Sequence, residues 1–196
     1  MAQSRFEMRR AAVLNEANAI GTAALRARLL PAPHNADVIK LLKDYVQIRL
    51  DITRSAPSAA DLKAATARSN EIEEALWRQA MALATANNAM VPTGLFIQAL
   101  NDMIDNQEKR LAAFRGRVPD VVLVALYAVA LVATAIAGYA KGLHGRRVKL
   151  PTYLMGLLIA GVMLLIQDLD RPSSGFIRVS QQPMLDTAAA IAGYVQ

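Results

Sequence analysis

The chain contains no cysteine. Disulfides, cysteine-based zinc sites and thiol nucleophiles are therefore excluded. Aromatic residues are only 5% of the 196 positions, and charged residues are 19% where about 25% is usual. The two histidines, His34 in a proline-rich turn and His144 in a short charged linker, read as exposed loop residues and predict no metal site. There is no G-x-S-x-G, no phosphate loop and no H-E-x-x-H. The expectation is a protein that is not an enzyme and uses no cofactor. No stretch shows a dense basic stripe with interleaved aromatics, so the net charge of +6 does not point to nucleic acid.

What the chain has in excess is apolar residues, at 54%, with 37 alanines. They are segregated from the charge. Residues 1–118 hold 16 basic and 12 acidic residues, whereas residues 119–196 hold 6 and 4. Residues 121–140 (VVLVALYAVALVATAIAGYA) are 20 positions without a charge, and residues 150–167 (LPTYLMGLLIAGVMLLIQ) are 18. As a helix the first run is about 30 Å long, the thickness of a bilayer core. Neither run has a polar face; the alternative is a helical hairpin buried in a soluble protein. The linker KGLHGRRVK is short, so the two spans form an antiparallel hairpin. Ala130, Thr134 and Gly138, and then Gly156 and Ala160, recur every four residues. That spacing lets helix backbones approach closely in lipid, or arises by chance in an alanine-rich chain. With no ionisable group inside either run, the spans alone do not look like a pump.

Residues 1–118 show helical spacing without strand alternation. Helices are predicted over 3–30, from Asn35 or Asp37 to 54, from Ser58 or Asp61 to 89, and over 93–117, with Pro119 at a helix start or kink. The fold class is all-α: a helical bundle over 1–118, continuous with a two-helix transmembrane hairpin over 119–170 (spans about 120–141 and 150–168). Residues 171–196 form a C-terminal turn and short tail helix. Within them, residues 176–180 are expected as a short strand or extended arm. Residues 184–195 are expected as a weakly amphipathic helix on the membrane or the bundle.

Two blocks are candidates for function. In the first, Asn15, Glu16 and Asn18 sit within one turn, followed by the helix-interior Gly21. This is a polar patch that binds an ion or pairs with an arginine such as Arg49 or Arg110; the bland alternative is a satisfied interhelical hydrogen-bond network. The second block follows the second span: Asp168, Asp170, Arg171, Pro172 and Gly175. At i, i+2 the two aspartates face different sides of a helix and make no acid/base couple without unwinding. The block reads as a charged mouth at the membrane surface, or as interfacial anchoring with an Asp–Arg pair.

The runs SRFEMRR, NEANAIGT, LLP, LKDYVQIRL (42–50) and DLDRPSSGFIRVSQQP resemble the bestrophin-like domain family of uncharacterised bacterial membrane proteins. The resemblance covers nearly the whole chain. It is remote from true bestrophin anion channels and transfers no mechanism from them. Family members usually carry two further hydrophobic spans before the S-R-F-E block, so the resemblance implies an N-terminally truncated member.

The predicted setting is the bacterial cytoplasmic (inner) membrane, with the bundle and C-terminus cytoplasmic and the linker outside. The expected function is a membrane-anchored helical interaction or sensory module; an oligomeric channel or transport-like protein is the alternative. The expected partner is the lipid bilayer, with homo-oligomerisation open and no nucleic acid.

Overall fold

Among the described residues seven helices follow in chain order: α1 (Ala2–Ala27), α2 (His34–Arg54), α3 (Ala59–Ala86), α4 (Val91–Arg115), α5 (Asp120–Leu143), α6 (Leu150–Asp170) and α7 (Gln182–Ala192). They belong to a computed structural model that describes residues 2–54, 58–86, 91–116, 118–143, 150–170, 175 and 177–194. No strand occurs among the described residues, so the chain is all-α. Residues 178–180 are irregular where a short strand was one expectation, and Phe176 lies outside the described residues.

Local chemistry sets several helix ends. At the start of α3, the Ser58 hydroxyl accepts from Asp61 N–H at 3.1 Å, and the Asp61 carboxylate accepts from Ser58 N–H at 2.9 Å. This is a reciprocal capping box. The two hydrogen bonds from Ser58 hold the exposed Asp61 carboxyl below its ordinary range. Helix α2 starts at His34, so Asn35 and Asp37, expected as caps, lie in its first turn instead. There the Asp37 carboxylate complements the helix dipole. His34 is also not a free loop residue: its Nδ1 is 2.6 Å from Gln79 Oε1 on α3. Pro119 immediately precedes α5, where its carbonyl accepts from Val122 N–H at 2.9 Å.

The chain divides into two compact units, one of Glu7–Arg115 and Arg178–Gln196, the other of Met1–Phe6 and Gly116–Ile177. The larger unit is an up-down-up-down four-helix bundle with α7 packed on it. Hydrogen bonds from Arg9 to Ala113 and from Arg26 to Leu95 run between opposite ends of α1 and α4, so these helices are antiparallel. Each helix buries a stripe alternating three and four residues, the repeat of knobs-into-holes packing. On α1 it runs Arg9, Val13, Glu16, Ile20, Ala23, Ala27; on α4, Thr93, Phe96, Leu100, Met103, Gln107. Small side chains at Ala23, Ala24 and Ala27, all at zero exposure, let α1 approach its neighbours closely. Helix α7 contributes Met184 and Ile191 to the same core, and Thr187 Oγ1 donates to the Ala17 carbonyl at 3.3 Å. The tail helix therefore completes the bundle.

The smaller unit contains the hairpin of α5 and α6. Two helical stretches, one ending at Ala140 and one over Tyr153–Asp170, are long and apolar enough to cross a membrane. Their mean hydropathies are 2.5 and 1.6, with 0% and 6% buried. The apolar faces point outwards: Val121, Leu131 and Leu157 are each at least 70% exposed. A core helix of a soluble protein would cover such residues. A side chain added at Gly138 or Gly156 would meet nothing within 4 Å, so these two glycines are not points of close approach between α5 and α6. A polar link between the helices runs from Gln167 Nε2 to Tyr127 Oη at 2.5 Å.

Candidate functional site

The core stripes of the bundle are apolar at one end and polar at the other. Four helices place Glu16, Tyr45, Arg49, Glu73 and Gln107 at core positions, all buried. Glu16 lies at the centre with no exposed surface. Its Oε1 is 2.8 Å from Arg49 Nε and its Oε2 accepts from Arg110 Nη1 at 2.5 Å. The Arg49 Nε–H forms no hydrogen bond, so that contact is coulombic in character. Arg49 also lies against the Tyr45 ring, 5.8 Å from its centroid. Arg110 continues outward, donating from Nη2 to Gln181 Oε1 at 3.0 Å beside the start of α7. One buried carboxylate thus ties α1, α2, α4 and the entry to α7 together.

Tyr45 connects this ion cluster to the other side of the layer. Its hydroxyl lies 3.1 Å from Glu16 Oε1 and 2.5 Å from Gln107 Oε1, and Gln107 Nε2 donates to Asn70 Oδ1 at 3.0 Å. A phenol has one proton for these two acceptors. Burial pushes the Tyr45 pKa well above its ordinary value, and the Glu16 charge adds to that. Tyr45 therefore stays neutral and donates.

Glu73 is the second acid of the layer. It is 9% exposed, and its Oε1 has no hydrogen-bond partner. Burial raises its carboxyl from 4.5 to about 7; Glu16 and Glu108 add to the rise, while Arg49 and the Tyr45 hydroxyl oppose it. Two guanidinium groups face Glu16, so the layer carries one surplus positive charge that an ionised Glu73 offsets. Glu73 also lines a cleft of about 720 Å³ between α3 and α4. The arrangement can hold or release one proton near neutral pH at the wall of an open cleft. Ser69 Oγ and Thr93 Oγ1 are likewise buried without a partner, which marks the core stripes of α3 and α4 as incompletely satisfied.

The predicted site residues separate. Glu16 is buried, whereas Asn15 and Asn18 are exposed and line a groove of about 270 Å³ with Asp102 and Asn106 of α4. Gly21 faces α7: a Cβ added there would meet Thr187 Cγ2 at 4.0 Å. In the second block, Asp168 and Asp170 remain on α6 and serve different groups. Asp170 Oδ1 accepts from Val118 N–H at 2.9 Å, and Asp168 Oδ2 accepts from Ile177 N–H at 3.0 Å. Gly175 is buried; Arg171 and Pro172 lie outside the described residues, as does His144.

A family model for the Bestrophin-like domain matches residues 1–184. The chain belongs to the Bestrophin-like family. No curated protein and no solved structure matches it. The match spans both predicted blocks, the bundle's four helices and the hairpin of this bestrophin-like chain.

Tyr45, Glu73 and Gln107 are not among the site residues expected from the sequence. The signal was present in the stripes themselves. On α3 the buried series Ser69, Glu73, Leu76, Ala80, Leu83 has an acid at a core position. On α4 the series ends on Gln107. A polar residue in register with a heptad core is either paired or functional.

Proposed function

We propose that this bestrophin-like chain is a membrane-anchored helical module that senses or binds, rather than an enzyme. The observation that carries this reading is the division of labour between the two units. One exposes a hairpin with two long uncharged apolar runs suited to lipid; the other has its own core with a charged layer open to a cleft. The hairpin is the anchor, the bundle the working part. The bundle is cytoplasmic and the membrane is the bacterial inner membrane, a topology supported by the difficulty of moving a charged segment of this size across a bilayer. Protease treatment of spheroplasts carrying a tagged chain tests it; digestion of the bundle from outside overturns the topology. Crosslinking of the full chain in its membrane tests the interaction role. Capture of a second copy or of a partner supports it, and capture of neither overturns it.

A second reading, an oligomeric channel, is favoured by one observation. Gly138, Gly142, Gly156 and Gly161 all face open space, which leaves close-approach surfaces on both hairpin helices for further helices. Ion flux through liposomes containing the full chain supports that reading, and its absence removes it.

A further inference from the structure

The cleft between α3 and α4 measures about 720 Å³, within the range of small-molecule sites of about 300–1,000 Å³. Its walls are acidic: Glu73, Glu74 and Glu108 face it, against one arginine, Arg115. An acidic cluster alone is a solvated surface. What distinguishes this one is Glu73, nine-tenths buried at the cleft wall with Oε1 lacking any donor. A buried carboxylate oxygen in that state is incomplete, because such atoms are normally paired with a donor. Trp77, one turn along α3 from Glu73, lines the same cleft, and an indole face attracts cations.

The donor that fits is constrained. Among the described residues no group of three or more acids or histidines is placed to hold a metal ion. A guanidinium favours a two-oxygen acceptor, and a quaternary ammonium has no proton to give. A primary ammonium is a compact charge with three N–H donors, suited to a single buried oxygen. We propose that the α3–α4 cleft binds a small organic cation through a primary ammonium group, with Glu73 as the carboxylate anchor and Trp77 as the apolar, cation-attracting wall. Glu74 and Glu108, both exposed at the rim, suit a second ammonium, so a short diamine is the matched ligand. The inference deepens the sensory reading, and rests on it, by giving the class of molecule sensed.

Protons compete for the same oxygen. The Glu73 carboxyl sits at about 7, faced by Glu16 from α1, Tyr45 and Arg49 from α2 and Glu108 from α4. Binding an ammonium requires the carboxylate, so affinity rises with pH across this range and binding expels a proton.

The test is calorimetric titration of the full chain in neutral detergent with 1,4-diaminobutane, alongside the emission of Trp77, the only tryptophan. Saturable binding is expected, several-fold tighter at pH 8 than at pH 6. Tetramethylammonium should bind at least tenfold more weakly, and Glu73→Gln, the isosteric neutral variant, should weaken the diamine at least tenfold. Undiminished affinity in Glu73→Gln overturns the proposal, as does no saturable heat, or an equal Trp77 response to KCl at matched ionic strength. The pH and tetramethylammonium comparisons use the unmodified chain, so they decide even if the variant misfolds. Membrane crosslinking of partners involves no amine, so failure of either experiment is distinguishable from failure of the other.

Discussion

Replacing Glu73 by glutamine should change how the stability of the bundle depends on pH. An acid whose folded pKa lies above its unfolded one binds its proton more tightly in the fold. Its contribution is therefore full below about pH 4.5, falls as pH rises, and is gone above about 7, where folded and unfolded chains are both ionised. The rise from 4.5 to about 7, at about 1.4 kcal/mol per tenfold in proton affinity, sets a ceiling of about 3 kcal/mol. Glu73 also borders the open cleft, and solvent screening reduces this to about 1–2 kcal/mol. Urea unfolding of the full chain in neutral detergent, followed through Trp77 on the same helix, reads the effect. Between pH 5 and 7.5 the unmodified chain should lose about 1–2 kcal/mol more than Glu73→Gln does. Parallel pH curves for the two chains would refute the assignment of a raised carboxyl to this position.

Removing the central acid should be costly. Glu16→Ala leaves Arg49 buried without its counter-ion, for an expected loss of about 3–5 kcal/mol in the same unfolding assay. Adding Arg49→Met should restore part of that loss. Ser58→Ala dissolves the capping box of α3 and should cost about 1 kcal/mol. The part of that box held by the Asp61 carboxylate should fade as pH falls into the acid range, since the pair lowers its pKa. An arginine at Ala133, exposed midway along α5, should oppose membrane insertion by about 2.5–3.5 kcal/mol, seen as a smaller membrane-bound fraction.

The helices and the hairpin were legible because apolar spacing and uncharged length are properties of single segments. The Glu16 cluster was legible in part, since a glutamate within an alanine-rich stripe requires cations and Arg49 and Arg110 were on hand. Proximity in sequence misled at Asn15 and Asn18. On a helix each residue turns about 100°, so the neighbours of a buried glutamate face outward. Glu73 stayed hidden because its partners come from α1, α2 and α4, and depth depends on which stripes meet. The burial of α7 was equally unreadable: eleven weakly amphipathic residues do not say which surface they cover. Asp168 and Asp170 serve backbone donors from distant residues, contacts that only the folded chain defines.

The central claim is a helical bundle anchored by a lipid-facing hairpin, and alkaline carbonate extraction of membranes from cells expressing the full chain tests it most directly. With the apolar faces of α5 and α6 exposed as they are, the chain should remain in the membrane pellet. Release into the supernatant would mean that those faces are covered by protein rather than lipid, and would contradict the account.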